Sequence, residues 1–119
     1  AEASGCEDQQ FLVCSTGVIG RHLPMQAVEP GVRQAVASAE ASEEGLRRFA
    51  QAILTTDTVT KVASHELVLP EGRVVLTGVA KGAAMIGPNM ATMLAFVFSD
   101  AMVEPGELAT ITCRSAAHT

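Results

Sequence analysis

Pro70-Glu71-Gly72 separates two runs rich in apolar and β-branched residues, Val62 to Leu69 and Arg73 to Val79. Proline presets the backbone for a tight turn and glycine relieves its exit, so the two runs are predicted to form an antiparallel hairpin. Met93 to Phe98 is the longest uninterrupted apolar stretch, at six residues. It reads as a third strand, apolar on both faces and therefore buried and central. It is far shorter than the roughly 20 residues a membrane-spanning helix needs. Between the second and third strands, Ala80 to Asn89 carries two glycines and a proline, too many for a regular element.

Upstream the pattern is helical. Ser42 is a suitable N-cap, and Glu43 and Glu44 sit in the first turn, where the helix dipole favours them. Leu46, Phe49, Ala50 and Ile53 then share one face, with Arg47, Arg48 and Gln51 on the other. Val32 to Ala39 is a shorter helical stretch, and Pro24 and Pro30-Gly31 punctuate the chain before it. Phe11-Leu12-Val13-Cys14 reads as a short buried strand running into the glycine-bracketed turn Ser15 to Gly20. Helices followed by clustered strands predict one mixed, layered α/β (α+β) domain of 119 residues, long enough for a modest core. The stretch after Asp100 carries weak signals.

Charge and composition exclude several functions. Thirteen acidic against eight basic side chains give a net charge of −5, and no basic cluster exceeds Arg47-Arg48. With four phenylalanines as the only aromatics, neither phosphate attraction nor base stacking is provided for, so no nucleic-acid partner is expected. Cys6, Cys14 and Cys113 are odd in number and not spaced as a metal site, which fits reduced thiols in a cytoplasmic protein. The start, Ala-Glu-Ala-Ser-Gly, lacks Met and a basic leader, so the chain is expected to begin inside a longer product or after processing.

Polar residues gather where the apolar pattern breaks: Ser15-Thr16-Gly17, Thr55-Thr56-Asp57-Thr58, Lys81-Gly82 and Asn89-Met90-Ala91-Thr92. Strand ends and glycine-rich bends expose backbone N–H groups and are common places for a site, although the same residues also serve as ordinary turn formers. Gly78-Val79-Ala80-Lys81-Gly82 lacks phosphate-loop spacing, His22, His65 and His118 are scattered, and no Gly-x-Ser-x-Gly elbow occurs. Asp57 and Asp100 are candidates for a carboxylate pair.

The segment Ala80-Lys81-Gly82-Ala83-Ala84-Met85-Ile86-Gly87-Pro88-Asn89-Met90-Ala91-Thr92-Met93-Leu94 closely resembles the self-cleavage segment of the ornithine acetyltransferases, the bifunctional glutamate N-acetyltransferases of arginine biosynthesis. Ser15-Thr16-Gly17-Val18-Ile19, Ile53-Leu54-Thr55-Thr56-Asp57-Thr58 and Ser99-Asp100-Ala101 match in the same order, so that the similarity runs from about residue 11 to about residue 103. Ala84 and Ala95 stand where many members carry glycine, and Gly106 to Thr119 matches nothing recognisable.

The resemblance implies an N-terminal-nucleophile fold, here incomplete, in which the precursor cuts itself at Ala91–Thr92 and Thr92 becomes the nucleophile. Residues 1–91 would be the end of the first chain and 92–119 the start of the second. Thr16 and Gly17 match the family's oxyanion-hole pair, and Thr56 and Lys81 match substrate-contacting positions. The implied reaction moves an acetyl group from N-acetylornithine, or in some members acetyl-CoA, to glutamate through an acetyl-threonine ester. No metal or prosthetic group is implied, and the implied assembly is an α2β2 heterotetramer. Only 27 residues follow Thr92, and the family's second-chain glutamate, asparagine and threonine or serine have no counterpart here. A fragment without activity of its own is therefore expected. The alternatives are an amide hydrolase or aminopeptidase of the related self-cleaving fold, and an inert remnant.

Overall fold

The computed structural model describes residues 1–83 and 93–118. Two single-turn 3-10 segments, Glu2–Ser4 and Asp8–Gln10, open the chain. They are followed by helix α1 (Met25–Ala37), helix α2 (Glu43–Ala52), strands β1 (Lys61–Leu69), β2 (Gly72–Lys81) and β3 (Leu94–Ser99), and helix α3 (Pro105–Ala117). One antiparallel sheet of order β1-β2-β3 with helices outside it makes the expected layered fold an α+β one.

The hairpin forms as the turn chemistry dictates. Its register pairs Leu69 with Gly72 at the turn and runs to Lys61 opposite Ala80. Gly72 takes φ +147°, a value that L side chains rarely adopt. Ser64 and Thr77, opposite each other, join hydroxyls at 2.9 Å. Helix α2 also forms as read: the Ser42 hydroxyl accepts from Gly45 N–H at 2.9 Å, and Ala50 on its apolar face is buried. Phe49 meets Phe96 and Phe98 edge to face, at ring-centroid distances of 5.2 and 5.9 Å, which lays the helix over one sheet face. Val79 and Lys81 lie opposite Phe96 and Leu94 in the ladder and so share that covered face.

Several expectations are corrected. Met93 to Phe98 does give a strand, Leu94–Ser99, but it lies at an edge of the sheet, not at its centre. β2 takes the middle because it pairs on both sides, and Val97 on the uncovered face is 73% exposed. β2 also runs on through Ala80 and Lys81, into the stretch expected to be irregular, because Ala95 and Leu94 of β3 extend the ladder there. Phe11–Cys14 is not a buried strand: it has no sheet partner, and Leu12 and Val13 are almost fully exposed. Pro30 and Gly31 do not end a helix but lie inside α1, whose N-cap is Pro24. Proline there forfeits one backbone bond to the preceding turn, and the helix continues past it. α3 was not anticipated: Pro105 serves at its N-terminus, and Thr110 and Thr112 return their hydroxyls to the carbonyls four residues back.

The core is smaller than length alone suggested. Among the described residues, Ala50 and Val79 are the fully buried hydrophobics. The Cα radius of gyration is 16.2 Å, against about 13.5 Å for a compact domain of this length. Leu12, Ile19 and Met102 present nearly their whole surface. Cys6, Cys14 and Cys113 are free and exposed. Among the described residues no helix is long and apolar enough to cross a membrane, and no group of His, Cys, Asp and Glu is arranged to hold a metal.

Candidate functional site

β2 ends at Lys81, where the polar segments singled out from sequence converge. Lys81 is 2% exposed, at the end of the sheet face that α2 covers. A buried ammonium is costly unless it is partnered. Its Nζ donates to the Thr16 hydroxyl at 2.8 Å, across 65 residues of sequence. Among the described residues no carboxylate pairs with it. An ammonium has three donors and no acceptor, so the direction of this bond is fixed. Thr16 must accept, and its own O–H is left to point elsewhere as a donor.

Gly17 follows Thr16 in an exposed, irregular stretch. A Cβ built on it would meet Leu23 Cδ2 at 3.9 Å, an ordinary contact, so neither crowding nor backbone strain requires glycine here.

Thr56 is exposed in the bend between α2 and β1. Its neighbour Asp57 is the residue that ties this bend to β2. Asp57 Oδ1 and Oδ2 accept from Gly82 N–H at 2.9 and 3.0 Å, and Lys61 Nζ donates to Oδ1. The Asp57 side chain is fully buried, while Lys61 reaches partly into solvent. The bond from Lys61 holds the Asp57 carboxyl below the usual carboxylate range; burial opposes this, and Gly82 N–H adds to it. Thr56 and Lys81 therefore lie one residue away on either side of a fixed backbone junction.

Asp57 and Asp100 do not form the carboxylate pair considered from sequence. Asp100 Oδ1 accepts from Val75 N–H at 2.8 Å, continuing the ladder one step past the end of β3. Val75 and Gly82 are seven residues apart along an extended strand, about 23 Å at the usual rise. Ala91 and Thr92, the expected cleavage pair and nucleophile, lie outside the described residues. The structure thus brings Thr16 to Lys81, and ties the bend that carries Thr56 to the residue after Lys81 through Asp57. The role of Asp57 was missed because a carboxylate bound to a backbone N–H leaves no partner in the sequence pattern.

A sequence model of the ArgJ family matches residues 1–119. The chain is 42% identical over 119 residues to the arginine biosynthesis bifunctional protein ArgJ of Bacillus anthracis, and 44% identical over 119 residues to that of Bacillus cereus. Both alignments cover the whole chain and 29% of the relative. It is 50% identical over 105 residues, 88% of the chain and 25% of the relative, to the protein of that name from Synechococcus. The chain therefore spans less than a third of the length of the curated relatives it matches. The similarity is also wider than residues 11–103: it includes both 3-10 turns and α3, which sequence reading alone left unplaced.

Proposed function

The chain belongs to the ArgJ family, and from that premise we propose that the cluster at the end of β2 is part of an acetyl-transfer site whose nucleophile is Thr92. Its substrates are N-acetylornithine and glutamate, with acetyl-CoA as an alternative donor. Residues 1–91 form the end of a first chain and 92–119 the start of a second, within an N-terminal-nucleophile fold assembled as α2β2 with the remainder of the family's length.

Hydrolysis of the Ala91–Thr92 peptide frees the Ala91 carboxylate and the Thr92 α-amine. An α-amine with an ordinary pKa of about 7.7–8.0 can take the hydroxyl proton near neutral pH. Thr92 Oγ then attacks the acetyl carbonyl, the C–N bond breaks, and ornithine leaves carrying the proton on its amine. The α-amine of glutamate attacks the resulting ester and takes the acetyl group, and the hydroxyl of Thr92 is restored.

The observation that carries this reading is the Lys81–Thr16 bond. It makes the hydroxyl of Thr16 an acceptor toward Lys81 and leaves its proton for the oxyanion, beside the backbone N–H of Gly17. Loss of one such donor typically costs about 10²–10³ in rate. Lys81, buried without a carboxylate partner among the described residues, suits the carboxylate of an amino-acid substrate.

Intact-mass measurement tests the reading. In the complete protein carrying this segment, cleavage at Ala91–Thr92 is expected, Thr92→Ala abolishes both cleavage and transfer, and Thr92→Ser retains part of each. Acetyl transfer assayed with and without glutamate separates a transferase from a hydrolase. The chain of 119 residues alone is expected to stay whole, because alignment of a scissile peptide depends on a packed surrounding shell. A 28-residue product beginning at Thr92 would refute that expectation.

A further inference from the structure

We propose that Asp57 is a positioning residue that anchors the exit of β2 and so sets where the self-cleaving segment departs from the sheet. This rests on the reading of Ala91–Thr92 as the cleaved bond.

The argument begins with what the carboxylate is not needed for. The β1–β2 hairpin is fixed by a tight turn and by a ladder running from Leu69–Gly72 to Lys61–Ala80. Strand pairing accounts for that register without help from a side chain. Asp57 acts one step beyond the ladder. Both of its oxygens take the N–H of Gly82, the first residue past β2, and Lys61 at the start of β1 donates to the same carboxylate. Three segments meet on one buried group: the bend carrying Thr56, the entry of β1 and the exit of β2.

Burying a carboxylate is unfavourable without such partners, and here the backbone N–H of Gly82 is the inner one, while Lys61 is partly open to water. Gly82, the first residue past β2, sits at φ +141°, a conformation a side chain would strain. Nine residues then lead from Gly82 to the Ala91–Thr92 bond. On the other side of Gly82, Lys81 reaches Thr16. Fixing Gly82 therefore fixes two things at once: the origin of the cleavage segment and the peptide from which Lys81 addresses the oxyanion residue.

The test uses the complete protein carrying this segment, with cleavage at Ala91–Thr92 followed by intact mass over time. Asp57→Ala is expected to slow cleavage about 10²-fold, the scale of an ångström-level misplacement. Asp57→Asn keeps an oxygen for Gly82 N–H and loses the charge pairing with Lys61, so it recovers to within about tenfold of the unsubstituted rate. Lys61→Gln, which leaves both carboxylate oxygens, slows cleavage less than Asp57→Asn does. Val79→Ala, a cavity in the core of the same strand, serves as the control for stability; at an equal or larger drop in Tm it leaves cleavage within a few-fold. Should Asp57→Ala not fold, the order unsubstituted, Lys61→Gln, Asp57→Asn carries the test. Cleavage by Asp57→Ala, or failing that by Asp57→Asn, at the unsubstituted rate overturns the anchor alone. So does slowing no greater than that of Val79→Ala at matched Tm. Absence of cleavage at Ala91–Thr92 in the unsubstituted protein overturns the functional reading and the anchor with it.

Discussion

At its turn end β2 is tied to β1 by the backbone ladder and by an ion pair, Arg73 to Glu66 at 3.1 Å, with side chains 73% and 46% exposed. At its other end Val79 and Lys81 are almost wholly buried, and the ties are side chains from Thr16 and Asp57, 65 and 25 residues away in sequence. The first end uses local geometry and water-screened charge. The second uses long-range contacts that are unfavourable to assemble and lose most of their value when one member is missing. A strand needs only the first kind to form. Asp100 also reaches the turn half, at the N–H of Val75, but that contact is exposed; among the described residues the buried long-range ties lie at the Lys81 end, and we take that end as the place where position matters for chemistry.

Substitution at the buried end should produce the larger effect, and should split activity from stability. Lys81→Met replaces a buried ammonium by an apolar side chain of similar size, so the Tm of the complete protein is expected to hold or rise. Acetyl transfer is expected to fall by about 10²–10³, since Thr16 loses the donor that orients its hydroxyl. Thr16→Val should cost a similar factor. The double substitution should cost little more than the larger single one, because the two side chains act as one unit. Fully additive losses in kcat would show that the Lys81–Thr16 bond does not matter to the reaction.

The same contrast explains how much was legible in sequence. The hairpin and α2 are local: Pro70-Glu71-Gly72 carries its own turn, and Ser42 with Leu46, Phe49, Ala50 and Ile53 carries its own cap and face. Phe11–Cys14 and Met93–Phe98 show that an apolar run records a tendency toward burial, while what covers it is decided by segments elsewhere. α3 escaped because Thr110, Ile111 and Thr112 are indifferent helix formers, and Pro30 made α1 look interrupted. Thr16, Gly17, Thr56 and Lys81 stood out through family resemblance. Their convergence could not be read locally, because neither the Thr16–Lys81 bond nor the Asp57–Gly82 bond follows a periodicity.

A smaller effect concerns acid. The carboxyl of Asp57 is held below its ordinary value first by the bond from Lys61, with Gly82 N–H adding to it and burial opposing. A depressed folded pKa means that Asp57 contributes stability above the unfolded value of about 3.9, and that this is lost as pH falls through the lower folded value. An NMR titration of the Asp57 carboxyl should therefore have its midpoint below the usual aspartate range, with the amide of Gly82 moving in step. Asp57→Asn should remove that component of the acid dependence. A midpoint above the usual range would mean that burial, not the ammonium, governs the group, and would weaken the contrast between the two ends.

The turn end supplies the smallest expected change. Arg73 and Glu66 form a diagonal cross-strand pair open to solvent, where side-chain entropy and counterions cancel most of the attraction. A double-mutant cycle of Arg73→Ala and Glu66→Ala should return a coupling of about 0.2–0.5 kcal/mol, fading as salt is raised to 1 M. Cleavage and transfer should stay unchanged in all three variants, since the ladder holds the register without the pair. If the coupling instead exceeded about 1 kcal/mol and persisted in salt, or if the variants slowed cleavage, the turn end would be holding the site as well. The division of β2 into a fold-forming end and a site-forming end would then fail.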